Sequence, residues 1–481
     1  MSSELARAAG TMGALGLAVV LVARPRAARL LGLAAWAVGA LGVALYLAPS
    51  GHHRVLAAGA VAGALAAAGL AVLYRRRPWL LAVAALACVP ARIPVSVGDT
   101  EANLLLPLYL VVAGAALALA FELFRVDGRA RELGRVAWPL AALLAWTGLS
   151  LLWTDDLRQG AIAVVAFYLP FGLLAVSLAR LPWHRRWLTF LCVELVAMAI
   201  VFAAIGVYQY ATRDVFWNPK VIVGNAYAPF FRVNSVFYDP SVYGRFLVVA
   251  IVACLVLALS ARARVAYVAA AAIVVAWTGL LFSFSQSSFT ALIAAALVIA
   301  WVAWRRRAIA AVGLVAAVLV SAGVAAPRVR STIVRHTHAG LNHATSGRFK
   351  LVVNGAKLVV HHPVLGVGVG SFKRAYAKQQ HLKGREPKSA ASHDTPITVA
   401  AELGLPGLAL LAWLLVAGLA AMPVRLPRTF EERASVIFGL GLAAIAVHSL
   451  FYNAFFEDPM SWGLLALAPL AARASFQRAA A

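Results

Sequence analysis

Residues 240–264 read PSVYGRFLVVAIVACLVLALSARAR: fourteen apolar residues run without a break from Phe246 to Leu259, with Arg245 before them and Arg262 and Arg264 after. Counting the short uncharged flanks, the run has the roughly 20 residues that an α-helix needs to cross about 30 Å of hydrocarbon. A buried helix of a soluble protein seldom holds so long an apolar stretch between cationic ends. The rest of the chain repeats this pattern. Of 481 residues 63% are hydrophobic and 13% charged, and the mean hydropathy is +0.85, more apolar surface than a soluble core of this size hides. A soluble enzyme and a β-barrel porin are both excluded, and the chain reads as an all-α polytopic membrane protein.

Spans are expected near 5–23, 30–48, 55–73, 79–97, 103–122, 136–153, 160–179 and 187–209. Seven more are expected near 241–261, 265–283, 287–304, 308–326, 395–421, 435–456 and 460–474, about 14–15 transmembrane helices in all. Arginine clusters such as Arg24, Arg26 and Arg29, Arg75 to Arg77, and Arg305 to Arg307 follow the odd-numbered spans and place those exits in the cytoplasm. The formal charge of +25 is therefore in large part a topology signal, not the mark of a nucleic-acid partner. Cys88, Cys192 and Cys254 lie in apolar runs without metal or redox spacing and read as packing residues.

The two longest connections, 210–240 and 327–394, fall on the same, outer side. Residues 327–394 hold twelve Lys or Arg, two acids and seven of the eleven histidines. So many cations outside run against the positive-inside rule, and an anionic substrate is the natural explanation; a loop attracted to anionic lipid headgroups is the blander one. Phe349, Val352, Val353, Ala356 and Val360 recur at helical spacing opposite Lys350, Asn354, Lys357 and His361, which predicts a helix lying on the membrane surface. Gly366, Gly368 and Gly370 read as a turn. Asp394 or Thr395 can cap a helix with Pro396 in its first turn, so His393 stands just before a helix N-terminus. That end favours a bound anion and disfavours imidazolium, leaving a neutral histidine able to take a proton from a hydroxyl.

The run His393, Asp394, nine residues, then Gly404, Leu405, Pro406 and Gly407 resembles the histidine motif of the O-antigen ligases (WaaL) within the ligase and polymerase superfamily. Ser346, Gly347, Arg348, His362, Pro363, Leu365, Gly366, Gly368 and Phe372 are similar to that superfamily's periplasmic segment. Asp394 is a departure, because the family usually has an amide or hydroxyl residue there; a carboxylate can orient His393 or itself act as base, and a second histidine such as His362 is a further candidate for that role. The resemblance implies a GT-C-like, 12-helix ligase core preceded by N-terminal helices. The expected units are 1–77, extra transmembrane helices; 78–326, the core with its periplasmic loop 210–240; 327–394, the long basic periplasmic loop with a helical region; and 395–481, the last helices.

The activity implied is transfer of an undecaprenyl-pyrophosphate-linked O-antigen glycan to a sugar hydroxyl of lipid A-core, at the periplasmic face of a bacterial inner membrane. Membrane lipids are the other partners. The pyrophosphate already activates the sugar, so the enzyme needs fixed cations and a proton acceptor. His393 and Asp394 are the catalytic candidates. Arg232, Arg245 and Arg348 are the candidate pyrophosphate ligands. His362 and Arg213 are secondary candidates, the latter because Arg213 and Gly224 match a spacing used in related O-antigen polymerases. Arg245 either faces an interior or snorkels to the surface. Arg92, Glu194, Glu402 and His448 are further ionisable groups within expected spans. Few acids in the long loop argue for a metal-independent, inverting reaction without a cofactor. Polymerisation of the same donor, and anion transport, are the alternatives.

Overall fold

The computed structural model describes residues 1–48, 53–97, 100–125, 133–216, 218–227, 230–305, 307, 348–381 and 393–469. It is an all-α membrane protein: among the described residues eleven helices are long and apolar enough to cross a membrane. The chain opens with α1 (Ser3–Val22), α2 (Arg26–Leu47) and α3 (His53–Arg76). α4 (Trp79–Ala87) is short, and α5 (Leu106–Phe124) and α6 (Ala137–Leu149) follow. α7 (Leu157–Ala163) runs through a π-helical turn into α8 (Leu169–Ala179), one crossing in two pieces. Next come α9 (Arg185–Thr212), the short α10 (Pro219–Tyr227), α11 (Pro240–Ser260), α12 (Ala263–Ser283) and α13 (Gln286–Trp304). After the long loop's own helices, α14 (Arg348–His361) and α15 (Phe372–Gln379), the chain ends in α16 (Thr395–Leu419), α17 (Phe430–His448) and α18 (Pro459–Leu467).

Small residues let these helices approach closely, which is how packing is gained in lipid, where burying apolar surface contributes little between helices. α1 and α2 meet glycine on glycine: a Cβ on Gly16 would stand 2.5 Å from the Gly32 carbonyl oxygen, and one on Gly39 equally near Gly13. α1 is also sewn to α6, where the Thr11 hydroxyl donates to the Gly148 carbonyl at 2.8 Å. α1 thus lies inside the bundle, while α2 and α3 present most of their surface outward.

Hydrogen bonds sort the helix ends onto two opposite faces. On one, Arg185 at the start of α9 pairs with Glu431 at the start of α17 at 3.0 Å, and Arg433 donates to the carbonyl of Ser260 at the end of α11. Arg26 and Arg305 bond carbonyls at the ends of α5 and of the α16–α17 connection on this arginine-rich face. On the other, Thr395 N–H donates to the Ser449 carbonyl, joining the start of α16 to the end of α17.

Two expected spans differ in detail. Residues 79–97 do not form one helix: α4 stops at Ala87, and β1 (Ile93–Val97) pairs antiparallel with β2 (Thr100–Leu104). Pro90 and Pro94 remove the donors a continuing helix needs, and Ile93, Val95 and Val97 alternate as a strand does. The span expected over 435–456 starts earlier and ends at His448, and 449–458 form an irregular connection capped by Asp458. Residues 308–326 lie outside the described residues.

The amphipathic helix of the long loop exists as α14, and most of its expected apolar stripe is turned away from the protein. Asn354, Gly355 and Leu358 face inward, packing with Phe372, Tyr376 and Ala401, whereas Val352, Val353 and Val360 point away from the protein. Asn354, expected on the polar face, is buried with its amide nitrogen 3.5 Å from the Tyr376 hydroxyl. The apolar stripe is thus left outward, as a helix lying against lipid requires.

Candidate active site

His393 and Asp394 sit, half-buried, at the tip of α16. Asp394 is the N-cap: its Oδ1 accepts from the Ile397 N–H at 2.8 Å, and its carbonyl accepts from the Thr398 hydroxyl. Burial raises its carboxyl above the ordinary aspartate range, partly offset by the Ile397 N–H. Pro396 fits the first turn because it lacks a donor that would find no acceptor there. Thr395 then ties this tip to the α17–α18 connection twice, through its N–H to the Ser449 carbonyl and its hydroxyl to Asn453 Oδ1, each at 2.9 Å.

That connection carries Glu457 and Asp458, which bring two arginines from distant helices. Arg245, in the second turn of α11, does not snorkel: it is 1% exposed and its Nε lies 2.6 Å from Asp458 Oδ2, while its terminal nitrogens have no hydrogen-bond partner among the described residues. Arg92 donates to the Glu457 carbonyl at 2.5 Å and stands 3.9 Å from its carboxylate. Asp458 also caps α18 through the Met460 N–H at 2.8 Å, with Pro459 at the first helical position. Glu457 keeps 46% of its side chain accessible.

A serine-rich turn between α12 and α13 links this centre to the loop 210–240. Arg232 Nε donates to the Ser283 carbonyl at 3.1 Å. Ser285 holds Ser287 and Ser288 at 3.1 and 2.8 Å, and Ser287 meets His448 Nε2 at 3.0 Å. His448 ends α17, next to the Ser449 that receives Thr395, so a polar belt runs from Arg232 to the tip of α16.

The glycine turn is a clamp. Gly366, Gly368 and Gly370 all have positive φ, and a Cβ on Gly368 would fall 2.3 Å from the Thr154 Cα. Val367 and Gly368 donate to the carbonyls of Ala401 and Glu402, and Glu402 Oε1 accepts from Phe372 N–H. Ser150, Thr154 and Ser371 bind the other edge. The end of the long loop is thereby wedged between α16 and the α6–α7 connection. Gly404 (φ 70°) kinks α16 just beyond.

The remaining candidates are placed as follows. Arg348 begins α14, with its side chain outside the described residues. His362 is exposed where α14 ends. Arg213 ends α9 with its guanidinium over the rings of Tyr210 and Phe231. Sequence reasoning missed Glu457, Asp458, Asn453 and the serine turn. The Asp–Pro at 458–459 repeats the cap at Asp239–Pro240 and was a readable helix start.

No curated protein matches the chain. Residues 271–412 match the family described as O-Antigen ligase, a stretch that includes the serine turn, the clamped glycines and the tip of α16. With His393 to Gly407 lying inside it, that match supports assigning the chain to the O-antigen ligase family.

Proposed function

We propose that this protein is a glycan ligase that transfers a sugar chain from undecaprenyl pyrophosphate to a sugar hydroxyl of lipid A-core, with its active site on the periplasmic face of the bacterial inner membrane. One observation carries the reading within this ligase and polymerase family: His393 precedes a helix tip whose own N–H groups are served by Asp394, and that tip is bonded to the connection holding Arg245 through Asp458. A proton acceptor and a buried cation paired with a carboxylate are thus carried on joined elements.

In this account the acceptor hydroxyl oxygen attacks the anomeric carbon from the face opposite the phosphate, inverting it. The bond from that carbon to the phosphate oxygen breaks, its electron pair leaving with the pyrophosphate. His393 takes the hydroxyl proton. Arg245 and Arg232, with Arg348 of the long loop, receive the charge developing on the phosphate oxygens. Asp394, spent on the cap, shapes the tip and is not the base. Glu457 and Asp458 are held by arginines and set the positions of those cations, a use of carboxylates that suits a metal-independent reaction.

Purified protein supplied with undecaprenyl-pyrophosphate glycan, with and without lipid A-core, tests the reading. Product that needs lipid A-core supports ligation. Elongation of the donor alone points to a polymerase, and anion flux into liposomes without either product points to a transporter.

A further inference from the structure

A cavity of about 740 Å³ lies between α4, α8, α9, α11, α12, α17 and α18, running from the arginine-rich face to Pro459 and Met460 at the start of α18. Its walls are apolar, with Leu188, Leu195, Val268, Ile437 and Leu464 among them, and its four charged lining residues are all arginines: Arg185, Arg262, Arg264 and Arg433. These four cluster at one end. Arg185 and Arg262 flank the starts of α9 and α12, and Arg433 lies in the first turn of α17, so three helix N-termini add their partial positive charge. The nearby acids are already engaged, Glu431 by Arg185 and Glu432 by Arg425. Arg433 bonds backbone carbonyls. Arg262 and Arg264 are exposed and, among the described residues, their guanidinium groups have no polar partner.

The depth also has a meaning. From Arg185 to Leu195 the cavity follows α9 for ten residues, about 15 Å at 1.5 Å per residue, which is half the thickness of the hydrocarbon core. Arginines in connections are expected from topology alone, but that rule does not build a leaflet-deep apolar cleft beneath them.

We infer that this cavity is a binding site for an anionic glycerophospholipid of the leaflet on the arginine-rich side, with acyl chains among the leucines and the phosphate at Arg262, Arg264 and Arg433. A basic pocket between helices on that side is the arrangement that recognises such headgroups. A polyprenyl tail reaching in from the α16 face would account for the apolar walls but leave the cations without a counter-charge.

Native mass spectrometry of the full chain in detergent tests this, titrating phosphatidylglycerol against phosphatidylcholine. Wild type is expected to prefer phosphatidylglycerol by about thirtyfold, the combined attraction of two unpartnered arginines, and R262Q/R264Q to lose that preference while keeping phosphatidylcholine binding. Gly463→Leu fills the cavity, since a Cβ there meets only Leu178 at 3.9 Å, and is expected to lose both lipids. Equal binding of the two lipids by wild type, unchanged discrimination in R262Q/R264Q, or displacement of the bound lipid by undecaprenyl phosphate would overturn the assignment. The two exposed arginines keep the test decisive even if Gly463→Leu does not fold.

Discussion

The guanidinium of Arg245 and the carboxylate of Asp458 meet at 2.6 Å with almost no solvent access, joining residues 213 positions apart at the face that carries His393. A buried charge left without its partner is costly, whereas the pair itself adds little net stability. Asp458→Ala is therefore expected to lower stability by about 3–5 kcal/mol. Asp458→Asn retains capping capacity for the Met460 N–H and isolates the loss of charge. Thermal unfolding in detergent reads both, and an unchanged midpoint for Asp458→Ala would mean that the pair does not form.

The glycine clamp predicts a sharp contrast. Gly368 has φ +88° and backbone where a Cβ would go, so Gly368→Ala is expected to cost on the order of 1–3 kcal/mol from the dihedral alone, and more from the clash. Gly224 has open space around it, so Gly224→Ala should leave stability within about 0.5 kcal/mol of wild type. Monodisperse yield and unfolding midpoint check the pair. If Gly224→Ala also leaves transfer unchanged, the Arg213–Gly224 spacing carries no role here.

Asp394 gives a pH signature. Its carboxyl is raised in the folded state, so the folded protein holds a proton that the unfolded chain has released, and stability falls as pH rises from the ordinary aspartate value of about 3.8 through the raised one. Asp394→Asn keeps an equally good cap and should lack that fall. Asp394→Ala should lose about 1 kcal/mol across the range. Midpoints measured at several pH values separate the three proteins, and identical slopes for wild type and Asp394→Asn would refute the assignment.

Ser287 predicts a coupling. It is the hydrogen-bond partner of His448 Nε2, so Ser287→Ala should cost about 1–3 kcal/mol by leaving that buried ring nitrogen bare. Ser287→Thr keeps the hydroxyl and should cost less. Equal stability of both variants would place the serine turn outside the polar belt.

Much of the fold was legible because apolar runs and arginine clusters are local signals: residues 246–259 and Arg262 suffice to place one crossing and its end. The cap at Asp394 and Pro396 was legible for the same reason. The partners of Arg245 and Arg92 were not, since Asp458 and Glu457 lie more than 200 residues further on and nothing local announces a pairing across helices. α14 shows a finer limit. Periodicity located the helix, but which stripe faces protein was decided by Phe372, Tyr376 and Ala401, which propose nothing from sequence alone. Likewise three glycines spaced two apart read as a turn, and only the docked backbone of Glu402, Thr154 and Gln159–Gly160 explains why each must be glycine.

The central claim is that transfer depends on His393 at the tip of α16. Initial rates of glycan transfer to lipid A-core, measured in EDTA, compare wild type with His393→Ala and Asp394→Asn at matched folding. The account predicts a loss of about 100-fold or more for His393→Ala, the usual contribution of a positioned base, with Asp394→Asn close to wild type. Wild-type rates from His393→Ala, or loss confined to Asp394→Asn, would contradict it.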